Sequence, residues 1–267
     1  MSAFDAPASG GDRPAGSGPM PVGEVVSQTL TRFQADMPGF LLGGLIPFAI
    51  QMMVATVGVF VGLFAVYGGM FVGMVPGMVL GDDDLTAVGM LFGLAAGTFG
   101  LVFGFAAILG AVLAPINASL HRAVWRALET GESLKIDAAF STARQDLGRV
   151  VGFALVSSLL MLVGLSMCYL PAIVVGAALM FAGPAIYIHR LTIPDAIRRS
   201  VGHLSSNPGW HLGMFLVVMI ATMVLAYIPL IGGLLAATIH PMLVLIAYRS
   251  EFPEPMIGPD GEVIVLA

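Results

Sequence analysis

The sequence predicts an all-α polytopic membrane protein, with six transmembrane helices laid out as three hairpins of like orientation and interfacial amphipathic helices on the cytoplasmic side. Three observations predict it. Apolar residues make up 58% of the chain and charged residues 10%, with a mean hydropathy of +0.95, whereas a soluble domain carries roughly 25% charged residues. Apolar runs of transmembrane length recur along the chain. A pattern of polar helix, apolar span, turn and proline-bearing return span also recurs, in repeats of about 22–122, 137–190 and 194–249. The best-matched copies each hold a Tyr-x-Pro turn, Tyr169-Leu170-Pro171 and Tyr227-Ile228-Pro229.

Composition excludes several classes. The net charge is −5 with 11 Lys and Arg, so no broad basic surface is available for nucleic acid. The single cysteine, Cys168, cannot form an intrachain disulfide. Residues 1–21 are rich in Gly and Pro and lack a basic stretch followed by an apolar one; they read as a disordered tail rather than a cleavable signal.

From Val22 the apolar residues fall on one side of a helix, with Glu24, Gln28, Thr31 and Arg32 on the other, which places Val22 to Asp36 on the membrane surface. Pro38-Gly39 is expected to break it. An apolar run then extends from Phe40 to Gly81, about twice the ~20 residues one crossing needs, so a first span should end near Tyr67. The stretch Gly68 to Leu80 holds four Gly, three Met and Pro76, and reads as a helix extension, a re-entrant piece or an interfacial lid. Asp82, Asp83 and Asp84 are consecutive, whereas a Ca2+ loop spaces its ligands at alternate positions, so they read as a solvated loop tip. Between Thr86 and Ala114 a helix carries Gly89, Gly93, Gly97, Gly100 and Gly104 at three- and four-residue spacing. Such small residues let helices approach closely in lipid, and this face is expected inside a compact set of three hairpins.

After Pro115 the chain leaves the membrane as a helix with Arg122, Trp125 and Arg126, and breaks at Gly131. A second surface helix, Ile136 to Leu147, carries Arg144. From Arg149 to Tyr169 the third span covers about 30 Å of helix; Pro171 to Ile188 returns. Pro194 opens a third surface helix, to Ser206, with Ile197, Val201 and Leu204 toward lipid and Arg198, Arg199 and His203 away from it. Asn207-Pro208-Gly209-Trp210 opens the fifth span, and the sixth ends at Tyr248-Arg249. The tail, 250–267, reads as a strand or as disorder. Together these bounds give a tail of 1–21, a membrane domain of 22–249 and a C-terminal tail.

All 11 Lys and Arg fall on one side of this layout. Basic residues are held in the cytoplasm, so both termini are expected there, with Trp125 and Trp210 at the basic interface and Tyr67, Tyr169 and Tyr227 at the opposite one. Arg32, Arg144, Arg198 and Arg199 are the candidate contacts to anionic lipid.

Catalytic and nucleotide-binding motifs are not found, and no span holds Asp, Glu, Lys or Arg. Ion and proton carriers usually need a buried ionisable group. The candidate intramembrane polar residues are His240, next to Pro241 and suited to satisfying a freed backbone carbonyl, and Gln51, suited to bonding across helices. No cofactor or metal is implied. The expectation is a non-enzymatic scaffold or accessory subunit contacting membrane lipids and either a protein partner or a second copy; the alternative is a transporter or channel component for a small or lipid-like substrate.

Gly23-Glu24, the run Ile193-Pro194-Asp195-Ala196-Ile197-Arg198-Arg199-Ser200, then Asn207-Pro208-Gly209-Trp210 and Ala247-Tyr248-Arg249 carry a resemblance. Over Gly23 to Arg249 the chain resembles a broad, poorly characterised group of bacterial multi-span integral membrane proteins, which includes the membrane domain of some glycerophosphodiester phosphodiesterases. The resemblance implies a bacterial cytoplasmic (inner) membrane location. The catalytic domain of those phosphodiesterases has no counterpart in the sequence, so their activity is not implied. The enlarged Gly- and Met-rich first hairpin departs from the group's pattern.

Overall fold

The computed structural model describes residues 19–134, 146–167, 169–228 and 231–252. The surface helix expected at 136–147 with Arg144, Cys168, Pro229, most of the N-terminal tail and the tail beyond Phe252 lie outside the described residues, Asp146 and Leu147 excepted. The described residues hold α1 (Val22–Ala35), α2 (Met37–Leu80), α3 (Asp83–Thr130), α4 (Leu147–Ser166), α5 (Tyr169–Leu179), α6 (Ala182–Tyr187), α7 (Ile193–Ser206), α8 (Pro208–Ala226) and α9 (Ile231–Glu251). Among them there is no strand, and six segments are long and apolar enough to cross a membrane. The protein is all-α and fits a multi-pass membrane protein.

The first surface helix ends at Asp36, two residues before the expected Pro38-Gly39 break. Asp36 caps α2, its carboxylate accepting from Gly39 N–H at 3.3 Å and from the distant Leu134 N–H at 2.9 Å. Pro38 therefore sits in the first turn of α2, where its missing donor costs nothing.

The segment Gly68 to Leu80 is a helix extension. α2 runs unbroken for 44 residues through Pro47 and Pro76, and α3 for 48 through Pro115. Past Pro115 the chain continues as helix and breaks, as expected, at Gly131, whose φ is +70°. The two helices form one hairpin about 65–70 Å long. Its turn is built by Gly81 at φ +66° and by Asp82, whose carboxylate accepts from Leu85 N–H at 2.9 Å.

Glycines join the two arms. A Cβ added at Gly73 would lie 2.0 Å from the Gly89 carbonyl oxygen, and one at Gly93 would lie 2.0 Å from that of Gly69. At Gly97 the nearest atom is the Ala65 carbonyl oxygen at 2.7 Å, while Gly104 meets nothing within 4 Å. Of the glycines expected on an inward face, Gly89, Gly93 and Gly97 meet the backbone of α2 most closely, nothing lies within 4 Å of Gly104, and Gly100 lies on the same helix. Close van der Waals contact, rather than expulsion from water, holds such an arm pair in lipid.

The core sits at the other end of the molecule. Ala114 to Leu128 of α3, all of α6 and Met242 to Tyr248 of α9 supply most of its buried residues. α4 and α8 leave Leu159, Val163, Ile220 and Met223 exposed along their outer faces, as a lipid-facing surface requires and a water-facing one does not. Trp125 is only 1% exposed. Its ring, expected at the basic interface, packs edge-on against His189 and Tyr248 rather than outward.

Candidate functional site

The polar side chains gather where the basic residues are, at the ends of α3, α6 and α9. Helix C-termini leave carbonyls without intrahelical donors, and arginines close them. Arg249 donates to the Leu128 carbonyl at 2.8 Å, and Arg122 Nε to that of Tyr187 at 2.7 Å. Arg149 reaches the Arg190 carbonyl. Arg249 and Arg122 thereby oppose the negative ends of the dipoles of α3 and α6, while the Arg190 carbonyl that Arg149 meets lies in the segment beyond α6. Several of the residues read as one-sided surface charge therefore link elements to each other.

Asp146 joins two of them, pairing with Arg190 and lying 3.4 Å from Arg122. Asp146 at φ 61° and Arg190 at φ 52° are both in the left-handed region, which costs an L side chain energy. Both strained residues belong to the same ion pair. The surrounding contacts hold them there, a common arrangement where geometry is being fixed.

The fourth span is broken. Pro184 has no N–H, so the Met180 carbonyl loses its helical donor and the chain turns at Met180-Phe181 between α5 and α6. Neighbours satisfy the freed groups. Phe181 N–H donates to Ser200 Oγ at 3.2 Å, and the Ala177 carbonyl accepts from His211 Nε2 at 2.8 Å. The Phe181 ring, fully buried, meets His203, His211 and Tyr248 edge-on.

From His211 a line of bonds continues. His211 Nδ1 is 2.9 Å from His203 Nδ1, and His203 Nε2 is 3.1 Å from Glu251 Oε2. A carbonyl only accepts, so His211 carries a proton on Nε2. Every arrangement that then completes both remaining bonds places three protons on the three side chains, which together are net neutral. The arrangements differ only in which of His211, His203 and Glu251 holds the shared proton. A parallel bond joins His189 Nδ1 and Tyr248 OH at 2.7 Å. His203, expected on the side of α7 away from lipid with Arg198 and Arg199, lies with Ala196 and Ser200 on the side buried against protein, where its bonding partners are.

The other candidates lie apart from this network. His240 is exposed at the bundle surface, its Nδ1 3.3 Å from Thr222 Oγ1 of α8. That bond crosses helices, as the bond expected of Gln51 would have done; Gln51 is exposed on α2. His240→Gln should keep the unfolding free energy within about 1 kcal/mol of the parent, since an amide still donates to Thr222; a fall beyond ~2 kcal/mol would show that the imidazole does more. Arg198 pairs with Asp195 at 3.1 Å, fully in the open at 80% side-chain exposure, a pair of little energetic weight. The Arg199 guanidinium lies 4.3 Å over the Phe252 ring. Arg32 is half-exposed on α1.

Among the described residues no group of three His, Cys, Asp or Glu is placed to hold a metal ion. The ring nitrogens of His203 and His211 face each other instead of converging on a common point. His203, His211, Glu251, Asp146 and Ser200 were not singled out as a site by sequence, and no local spacing marks them. No family model, no curated protein and no solved structure matches the chain.

Proposed function

We propose that the protein is a non-enzymatic scaffold or accessory subunit of a membrane assembly, with both termini in the cytoplasm and its basic helix ends at anionic headgroups. The observation that supports this reading is where the polar side chains go. Arg122, Arg149, Arg249, Asp36, Ser200 and His211 each bond the backbone of a different element or connecting segment, which makes a fastened base. Gly89, Gly93 and Gly97 of α3 are used within the chain's own hairpin, so a partner would meet another surface. Purification in mild detergent followed by mass spectrometry tests the reading. A stoichiometric partner or a stable oligomer is expected, and a monomer that moves solute in proteoliposomes would defeat it.

The shared proton of the His211–His203–Glu251 line favours a second reading, a proton-coupled transporter component. Under that reading Glu251→Gln would abolish flux driven by a pH gradient in proteoliposomes while the protein still folded. Under the scaffold reading neither form carries flux.

Orientation is tested by single cysteines in a Cys168→Ser background. Asp83→Cys should react with an impermeant thiol reagent on intact cells, and Ser133→Cys should react only after lysis. The reverse pattern would invert the proposed topology.

A further inference from the structure

Five spans stand in a ring. α3 packs on α4, α4 on α5, α5 on α8, α8 on α9 and α9 on α3, whereas among the described residues no two spans across the ring form an extended contact. Five helices at the usual spacing of ~8–10 Å leave a gap of about 6–7 Å at the centre of a regular ring. At the basic end α6 fills that gap. All six of its residues are buried, and it packs on α3, α4, α5 and α9.

Beyond α6 the faces that meet protein change character. On α3 one helical face runs through Leu128, Val124, His121 and Asn117; the first two are buried, His121 is half-buried and Asn117 is exposed. On α9 Ala247, Val244 and Leu243 are buried, and His240, the next turn, is exposed. On α8 Met214 and Val218 are buried and Thr222 is half-buried. Each face is covered by protein at the base and loses its cover at the turn where its residue becomes polar. The outer faces of α4 and α8 carry Leu159, Val163, Ile220 and Met223 instead.

The polar residues adjoin one another. His121 meets the Tyr187 ring of α6 edge-on, with centroids 5.2 Å apart, and lies within electrostatic reach of His240. His240 Nδ1 in turn is 3.3 Å from Thr222 Oγ1. Among the described residues the Nε2 atoms of His121 and His240 have no bonding partner. Unpaired polar atoms are costly in lipid and are tolerated where a span lines water. The surface to which His240 is exposed is therefore the wall of a recess.

We propose that α3, α4, α5, α8 and α9 enclose a water-filled recess, floored by α6 and open away from the basic end, that binds small uncharged solutes bearing hydroxyl or carboxamide groups. The lining selects the class. Imidazole, carboxamide and hydroxyl groups offer both donors and acceptors, and beyond Arg122, Arg149 and Arg249 the walls hold no Asp, Glu, Lys or Arg up to the far turns. An ion entering there would give up hydration with no opposite charge to replace it. Water satisfies the wall when no solute is bound. Closed at its floor, the recess conducts nothing, so the inference goes beyond the scaffold reading and does not rest on it.

The test uses the full chain in proteoliposomes. In the Cys168→Ser background, Asn117→Cys and Thr222→Cys should react with 2-hydroxyethyl methanethiosulfonate about ten-fold faster than Leu159→Cys on the outer face of α4, because a thiol in lipid stays protonated and only the thiolate attacks. Equal rates at all three positions would overturn the proposal, placing Asn117 and Thr222 against lipid or in closed packing. The unsubstituted protein supplies a second measure. Diethyl pyrocarbonate should acylate His121 and His240 and spare the buried, bonded His203 and His211. Excess acetamide should slow that acylation several-fold relative to N-acetylhistidine in the same sample, and acetate should not. Acylation slowed by neither, or by both alike, would overturn the assignment to uncharged solutes. Neither measurement reads solute flux, on which the scaffold reading is judged.

Discussion

Asp146→Ala should lower the unfolding free energy by about 3–5 kcal/mol, because it strands the Arg122 and Arg190 guanidiniums, whose side chains are 8% and 15% exposed, without their carboxylate. A second cost of about 1–2 kcal/mol arises because alanine tolerates φ 61° less well than Asp does. The variants should therefore rank. Asp146→Asn, which tolerates the left-handed region and can still accept a bond, should lose least; Asp146→Gly, which relieves the backbone but removes the acceptor, should fall between; Ala should lose most. Midpoints of unfolding in a mild detergent measure the order. An Ala variant within ~0.5 kcal/mol of the parent would show that the ion cluster contributes nothing to stability. In the double variant Asp146→Ala/Arg190→Ala the loss should be smaller than additive, since one stranded cation is gone.

Gly93→Leu should open the long hairpin while leaving its helices intact. The clash is with the Gly69 backbone carbonyl at 2.0 Å, and no side-chain rotation relieves a contact with backbone. Overpacking of this kind costs about 1–3 kcal/mol, occasionally more. Gly104→Leu is the control, because nothing lies within 4 Å of it; exposed sites of that kind shift stability by about 0.5 kcal/mol or less. Spin labels at Val72→Cys and Leu91→Cys should move apart in the Gly93→Leu background and stay in place in the Gly104→Leu background. Unchanged separation in both would show that the arms are not held at the glycines.

The segments with one-sided physical constraints were legible from sequence. Three consecutive aspartates cannot sit in lipid, and they form the tip; Pro194 lacks a donor, and it sits in the first turn of α7. The unbroken length of α2 was not legible. Gly68, Gly69, Gly73 and Pro76 each argue locally against a helix, and the close approach of Gly69 to Gly93 and of Gly73 to Gly89, which a continuous helix permits, is a property of the paired register. The polar network was hidden for a related reason. Helical spacing put His203 on the correct angular side of α7, but which side met protein depended on His211 and on Glu251, 48 residues away. Trp125 is a similar case: its amphipathic ring pointed to the basic end of the chain, but its burial against His189 and Tyr248 depended on residues 64 and 123 positions away.

The spacing of contacts along the chain also sets an order of assembly. The glycine contacts of the long hairpin join residues close to a single turn, so each pair closes only a short loop beyond the one before it, at small entropic cost. That unit can zip from Gly81 as soon as α3 has emerged. The fasteners of the base cannot. Arg249 meets Leu128 across 121 residues and Trp210 meets Met20 across 190, so they wait for the last two helices. A nascent chain that has reached Ser206 thus holds a finished hairpin above an unlatched base, with the Leu128 carbonyl and Phe181 ring still lacking the partners that α8, α9 and Phe252 bring.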